Sequence, residues 1–208
     1  MASRRISAAA CRLADGRFAV IGGYDEHGKL LDSAEVYNPK NQKWTPLPPI
    51  PTTSTTTCDT DDNASSGNPS AAATNGRLHS ACAVGLADGR LMLIGGADYD
   101  ERAIADVFVL DPVGKGNNSS KGEWNPVARM QHRRKGCGAV LLADGKVMVL
   151  GGAGSATGAE VSALQRLSST ELYDPSTDTW TEGKPMLHAR EDFACCRLVR
   201  SVSISSVI

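Results

Sequence analysis

One pattern occurs three times along the chain and restricts its fold more than any other property. Leu13-Ala14-Asp15-Gly16-Arg17 returns as Leu86-Ala87-Asp88-Gly89-Arg90 and again as Leu142-Ala143-Asp144-Gly145-Lys146. Seven residues beyond each Asp a glycine pair begins: Gly22-Gly23, Gly95-Gly96 and Gly151-Gly152. Next come Tyr37, Leu110 and Tyr173, each followed by Asn or Asp and then Pro. Trp44, Trp124 and Trp180 follow in the same slot and are all the tryptophans of the chain. Six residues past each tryptophan stands a large aliphatic: Ile50, Met130 and Met186. The Asp-to-Asp distances are 73 and 56, and removing about 23 inserted residues from the first and seven from the second leaves a period near 50. Repetition at that length means one small unit used several times, each copy covering its neighbour's apolar face.

Every unit reads as four strands. Strand a (8–13, 80–86, 138–142) is rich in small residues, and the Asp-Gly after it is a strong hairpin signal, expected to form a type I′ turn. Strand b is an apolar run (18–21, 91–94, 147–150) that the glycine pair ends. Strand c (33–37, 106–110, 169–173) stops at Asx-Pro, which cannot continue a ladder. Strand d starts at the tryptophan. Only 159–167, inside an insert, hints at a helix. The fold class is therefore all-β: about three four-stranded antiparallel blades, stacked as in a propeller, with small strand-a residues crowding the axis. The glycine pairs are expected where an aromatic approaches backbone. Trp44, Trp124, Trp180, Tyr37 and Tyr173 are expected to pack between blades. By residue number the reading is blade 1 at 1–50, a disordered Thr/Ser/Asp-rich insert at 51–76, blade 2 at 77–132 and blade 3 at 133–189. Residues 190–208 read as the first strand of a fourth blade with a divergent tail.

Composition excludes several classes. Lys and Arg number 22 against 23 Asp and Glu, without the basic excess expected of a nucleic-acid partner. No apolar run approaches membrane-spanning length, and 1–10 lacks the apolar stretch of a signal peptide. The six cysteines form no Cys-x-x-Cys and read as buried free thiols in a reducing compartment, the cytoplasm or nucleus. His132 and His188 both lie two residues after the methionine that ends strand d, yet no third histidine shares the slot, so no metal is expected. No phosphate loop, nucleophile elbow or His-Glu-x-x-His occurs.

The glycine pair, then tyrosine, then tryptophan about seven later, resembles the kelch repeat, and the resemblance covers residues 4 to about 200 outside the inserts. It implies a kelch-type β-propeller, incomplete here. Unit two departs from the pattern with Leu110 in place of tyrosine. Three blades and a strand do not close a ring, so the remaining blades are expected from a longer chain or from self-association.

The same resemblance implies a non-catalytic protein-interaction module, for substrate recognition in a ubiquitin ligase or for scaffolding. In kelch families that bind acidic peptides, arginines at the start of strand a contact carboxylates, a task guanidinium forks suit. The matching candidates are Arg77, Arg133, Arg134 and Arg190, opposite an acidic rim of Asp25, Glu26, Asp98, Asp100 and Glu101. The partner is then a protein, with an acidic peptide as the candidate contact, and no cofactor is expected. The alternative is part of a kelch-propeller enzyme acting on sugars or similar small molecules.

Overall fold

The computed structural model describes residues 1–51, 78–111, 122–156 and 164–198. The first hairpin of each repeat turns on the glycine alone. Gly16, Gly89 and Gly145 have φ of 89°, 92° and 87°, whereas the aspartates before them do not have positive φ. Gly16 N–H donates to the Leu13 carbonyl at 3.0 Å and Leu13 N–H to that of Arg17 at 2.8 Å. This is a type I turn followed by a left-handed residue, in place of the expected type I′ turn. Asp acts through its side chain instead. Its Oδ1 accepts the N–H two residues on, from Arg17, Arg90 and Lys146, at 3.0, 3.1 and 3.2 Å.

Three four-stranded antiparallel meanders follow in chain order. Blade 1 is β1 (Ala9–Arg12), β2 (Phe18–Ile21), β3 (Ala34–Asn38) and β4 (Lys43–Leu47). Blade 2 is β5 (Cys82–Gly85), β6 (Leu91–Ile94), β7 (Val107–Leu110) and β8 (Trp124–Val127). A short β9 (His132–Lys135) leads into blade 3, whose strands are β10 (Gly138–Leu141), β11 (Val147–Leu150), β14 (Thr170–Asp174) and β15 (Thr179–Glu182). β9 pairs with β12 (Ala153–Ala156), and β12 with β13 (Gln165–Arg166). Blades 1 and 2 repeat that small sheet as bridges, Ile6–Tyr24–Leu30 and His79–Ala97–Ala103. The helix expected over 159–167 is corrected where the residues are described: Gln165–Arg166 is a strand, paired as the homologous bridges are.

Equal registers fix the equivalences. Ala9, Cys82 and Gly138 open the inner strand opposite Ile21, Ile94 and Leu150. Tyr37, Leu110 and Tyr173 pair with their own tryptophans. Blade 2 lies between the other two, so alternate residues of one strand serve different cores. Leu91, Leu93, Phe108 and Leu110 pack toward blade 1, with Ile21, Val36, Ile50 and Trp124. Met92, Ile94, Val107 and Val109 pack toward blade 3, with Val147, Val149, Tyr173 and Trp180. Both faces of this sheet are dry, which is why β6 and β7 read as unbroken apolar runs.

Polar links repeat from blade to blade. Trp124 Nε1–H donates to the Pro48 carbonyl at 3.0 Å and Trp180 Nε1–H to that of Ala128 at 2.8 Å, so each indole is anchored four residues past the tryptophan of the blade before. Around the axis, Ser80 N–H donates to Ser7, Gly136 N–H to Ser80, and Asp192 N–H to Gly136, at 2.9, 2.7 and 2.8 Å. All four residues have φ between 51° and 59°, so one left-handed position per repeat builds an inner backbone arc.

The glycine pairs meet backbone first, and the expected aromatic approaches only Gly151, where the Phe193 ring stands over it. Gly23, Gly96 and Gly152 donate N–H to the carbonyls of Leu78, Arg134 and Arg190, where the next repeat begins, at 2.8, 2.8 and 2.7 Å. A Cβ on Gly22 or Gly95 would drive into those same carbonyls. The aliphatic six residues past each tryptophan lies over the first glycine, as Met130 does at Gly95.

Residues 193–198 form no strand, because no second strand of a fourth sheet pairs with them among the described residues. Cys195 Sγ nevertheless lies 3.6 Å from the Ala139 carbonyl of β10. The insert read as disordered lies, apart from Pro51, outside the described residues.

Candidate functional site

The arginines at the start of strand a divide by register. Arg134 is 0% exposed and so is Glu171 of β14. Its Nη2 donates to Glu171 Oε1 at 3.0 Å and to Ser169 Oγ at 2.9 Å, and its Nη1 to the carbonyls of Gly151 and Ser169 at 2.8 and 3.1 Å. Arg5 repeats the arrangement in blade 1, with Glu35 Oε1 at 3.0 Å, Ser33 Oγ at 2.8 Å, and the Gly22 and Ser33 carbonyls. In blade 2 the two positions hold Leu78 and Phe108, both buried in the core shared with blade 1. Arg134 is thus corrected from partner-binding candidate to internal clamp: every outward route for its guanidinium is closed, and its charge is already matched. Arg190 takes the clamp position at the far edge of blade 3, its carbonyl accepting from Gly152 and its side chain exposed. Arg133, one residue off the clamp, is half-buried, with Nε unpartnered among the described residues. Arg77 lies outside the described residues and shares Arg133's register.

The acidic rim is also engaged. Asp25 Oδ1 accepts N–H groups of His27 and Lys29, and Asp98 Oδ1 those of Asp100 and Arg102, so these aspartates shape their own loops. Arg4 pairs with Glu26 at 2.8 Å.

Glu101 joins three repeats. Tyr24 of blade 1 donates to its Oε1 at 3.2 Å, and Lys135, leading into blade 3, to its Oε2 at 2.6 Å. His79 Nε2 lies 3.3 Å from Oε1 but is not aligned for a hydrogen bond, so that contact is electrostatic. The Tyr24 and His79 rings pack at 4.8 Å. Lys135 donation, opposed by burial and assisted by the His79 charge, holds the Glu101 carboxyl below its ordinary range. Burial pushes the His79 imidazole down, with the Glu101 carboxylate opposing it. Ser7, Ser80, Lys135, Glu191 and the residues around Glu101 line a depression of about 260 Å³ where the small lead-in sheets meet the axis. Beside it, Tyr99 projects 80% exposed from the β6–β7 loop. The sequence showed the charges of this face but not their pairing. Tyr24 went unnoticed, since its only signal is its place directly after a glycine pair.

His132 and His188 do not converge: His132 Nδ1 lies 3.4 Å from Glu171 Oε1, while His188 is exposed.

The profile of the kelch motif matches residues 7–51 and 133–187. The chain carries kelch repeats. The two matched segments contain blades 1 and 3, which keep both the tyrosine and the Arg–Glu clamp. Blade 2 of this kelch chain has replaced both with apolar residues. An F-box/kelch-repeat protein of Arabidopsis thaliana is 34% identical over 101 residues, 49% of this chain and 18% of that protein. Kelch-like protein 35 of Mus musculus is 28% identical over 171 residues, 82% of this chain and 22% of that protein. The kelch repeats here therefore span about a fifth of the length of those curated relatives. A solved fungal alcohol oxidase of the AA5 family, in complex with copper, overlays at TM-score 0.46 with 18% identity, covering 91% of this chain and 46% of that one. A likeness that distant carries no argument about activity.

Proposed function

We propose that this kelch chain is a protein-interaction module whose contact face is the axial depression with Tyr99 and Arg133 at its edge. The exposed Tyr99 carries the reading. An aromatic 80% open to water, next to a concave polar surface, has no packing role within its own blade. Tyrosine and arginine are also the side chains that most often anchor interfaces. Lys135 pairs with Glu101 and Glu191 with Arg166, Asp192 adds a carboxylate to the lining, and Arg133, two residues before Lys135, supplies positive charge. The fitting partner is an extended segment carrying an apolar residue for Tyr99 and a carboxylate for Arg133. A relative whose name pairs an F-box with kelch repeats supports substrate recognition within a ubiquitin ligase as the use of such a face.

A panel of acidic and neutral peptides, titrated by fluorescence anisotropy against the chain, tests this. Tyr99→Ala and Arg133→Ala should each weaken an acidic binder at least several-fold, with unfolding free energy unchanged within about 0.5 kcal/mol, as for surface changes. Absence of any binder, or a binder indifferent to both variants, refutes the reading.

A further inference from the structure

Two thiols from neighbouring blades meet on the axial wall. Cys82 opens β5, the inner strand of blade 2, and Cys137 precedes β10, the inner strand of blade 3. Their Sγ atoms stand 3.2 Å apart. A disulfide has S–S of about 2.0 Å, so about 1.2 Å of closure joins them. Cys137, 8% exposed, lines a cavity of about 190 Å³ together with Ser80, Gly136 and Asp192 of the inner arc. The axial cavity therefore reaches the Cys137 residue itself.

The remaining thiols are placed differently. Cys11 is pushed up to about 12 by burial, and Cys195 is raised chiefly by burial. Cys137 is lowered by its hydrogen bond with Cys82, and further by the Arg134 guanidinium, against the opposing effect of burial. Cys82 is raised by that same hydrogen bond and by burial. Two sulfurs in contact, one pulled down and the other pushed up, make the arrangement of an attacking and a resolving cysteine.

We propose that Cys82 and Cys137 form a reversible disulfide between blades 2 and 3 when the protein meets a peroxide. The Cys137 thiolate attacks one peroxide oxygen and the O–O bond breaks. The departing hydroxide takes up the proton Cys137 had released, leaving a sulfenic acid and water. The Cys82 sulfur then attacks the Cys137 sulfur: the S–S bond forms, the S–O bond breaks, and the leaving oxygen departs as water with the Cys82 proton. The two thiols lose two electrons, and the peroxide is reduced to two waters. A dithiol reverses the bond by exchange. The link closes a 55-residue loop and ties adjacent inner strands, so the oxidised form resists unfolding better.

The test is peptide mass mapping of the chain, treated with hydrogen peroxide while native, alkylated, and digested without reduction. The expected product is one linked pair joining Cys82 to Cys137, two hydrogens lighter than the reduced peptides, reversed by dithiothreitol. Tm of the oxidised chain should rise by several degrees. Cys82→Ser should prevent the link and leave a Cys137 sulfenic acid that dimedone traps, and Cys82→Ala should do the same should serine disturb packing. Oxidation of Cys196 with Cys137 unmodified, or a link appearing only after denaturation, overturns the proposal.

Discussion

Arg134 and Glu171 are shielded from water completely, yet blade 2 fills the same two positions with Leu78 and Phe108. The repeat tolerates a matched ion pair or a matched apolar pair, and the physical cost falls on a mixture. Removing one charge strands the other in the core, at about 3–5 kcal/mol, whereas exchanging both for apolar side chains is often close to neutral. Arg134→Leu should therefore cost about 3–5 kcal/mol in urea unfolding, and adding Glu171→Phe should recover more than half of it. A double variant no more stable than the single one would show that the hydrogen bonds Glu171 accepts from Gln131 and His132, not the charge pair, dominate. In the sequence Arg133 and Arg134 are indistinguishable neighbours. Alternation along β9 turns one into the blade and leaves the other half-buried, and which one depends on pairing with β12, remote in sequence.

At the scale of the element, two glycines with positive φ have different reasons to be glycine. Gly89, at φ 92°, closes a turn with nothing within 4 Å of an added Cβ. Gly95, at φ 58°, ends β6 where the Arg134 carbonyl and the Met130 methyl already occupy that space. Gly89→Ala should cost only the left-handed penalty, about 1–2 kcal/mol. Gly95→Ala should cost at least twice as much, since the blades must part and weaken the Gly96-to-Arg134 hydrogen bond. Equal shifts in denaturant midpoint would contradict that distinction. The turn was legible from Leu-Ala-Asp-Gly, although its type was not, because an aspartate can serve a turn by dihedral or by side chain. β13 was illegible: two exposed residues carry no period, and only the β12 edge makes them a strand.

At the largest scale, blade 2 is covered by a blade on both sides and blades 1 and 3 on one among the described residues. Trp180 is 8% exposed and bonded to blade 2, whereas Trp44, stacked on Tyr37 at 5.1 Å, stays half-buried with no blade before it among the described residues. Trp180→Ala should cost about 3–5 kcal/mol by opening a cavity. Trp44→Ala should cost less than half as much, a difference that thermal melts of the two variants would resolve. The sequence by itself determined the three four-stranded sheets, the order of their strands, the places of the turns between them and the aromatic slot. Each of these is written in spacings of a few residues, where alternation, turn chemistry and repetition act locally. Tertiary structure alone decided which arginine is a clamp, how Glu101 ties Tyr24 to Lys135, and that Cys82 faces Cys137. Those outcomes follow from how one blade leans on the next, bringing together side chains dozens of residues apart whose separation along the chain says nothing of their distance in space.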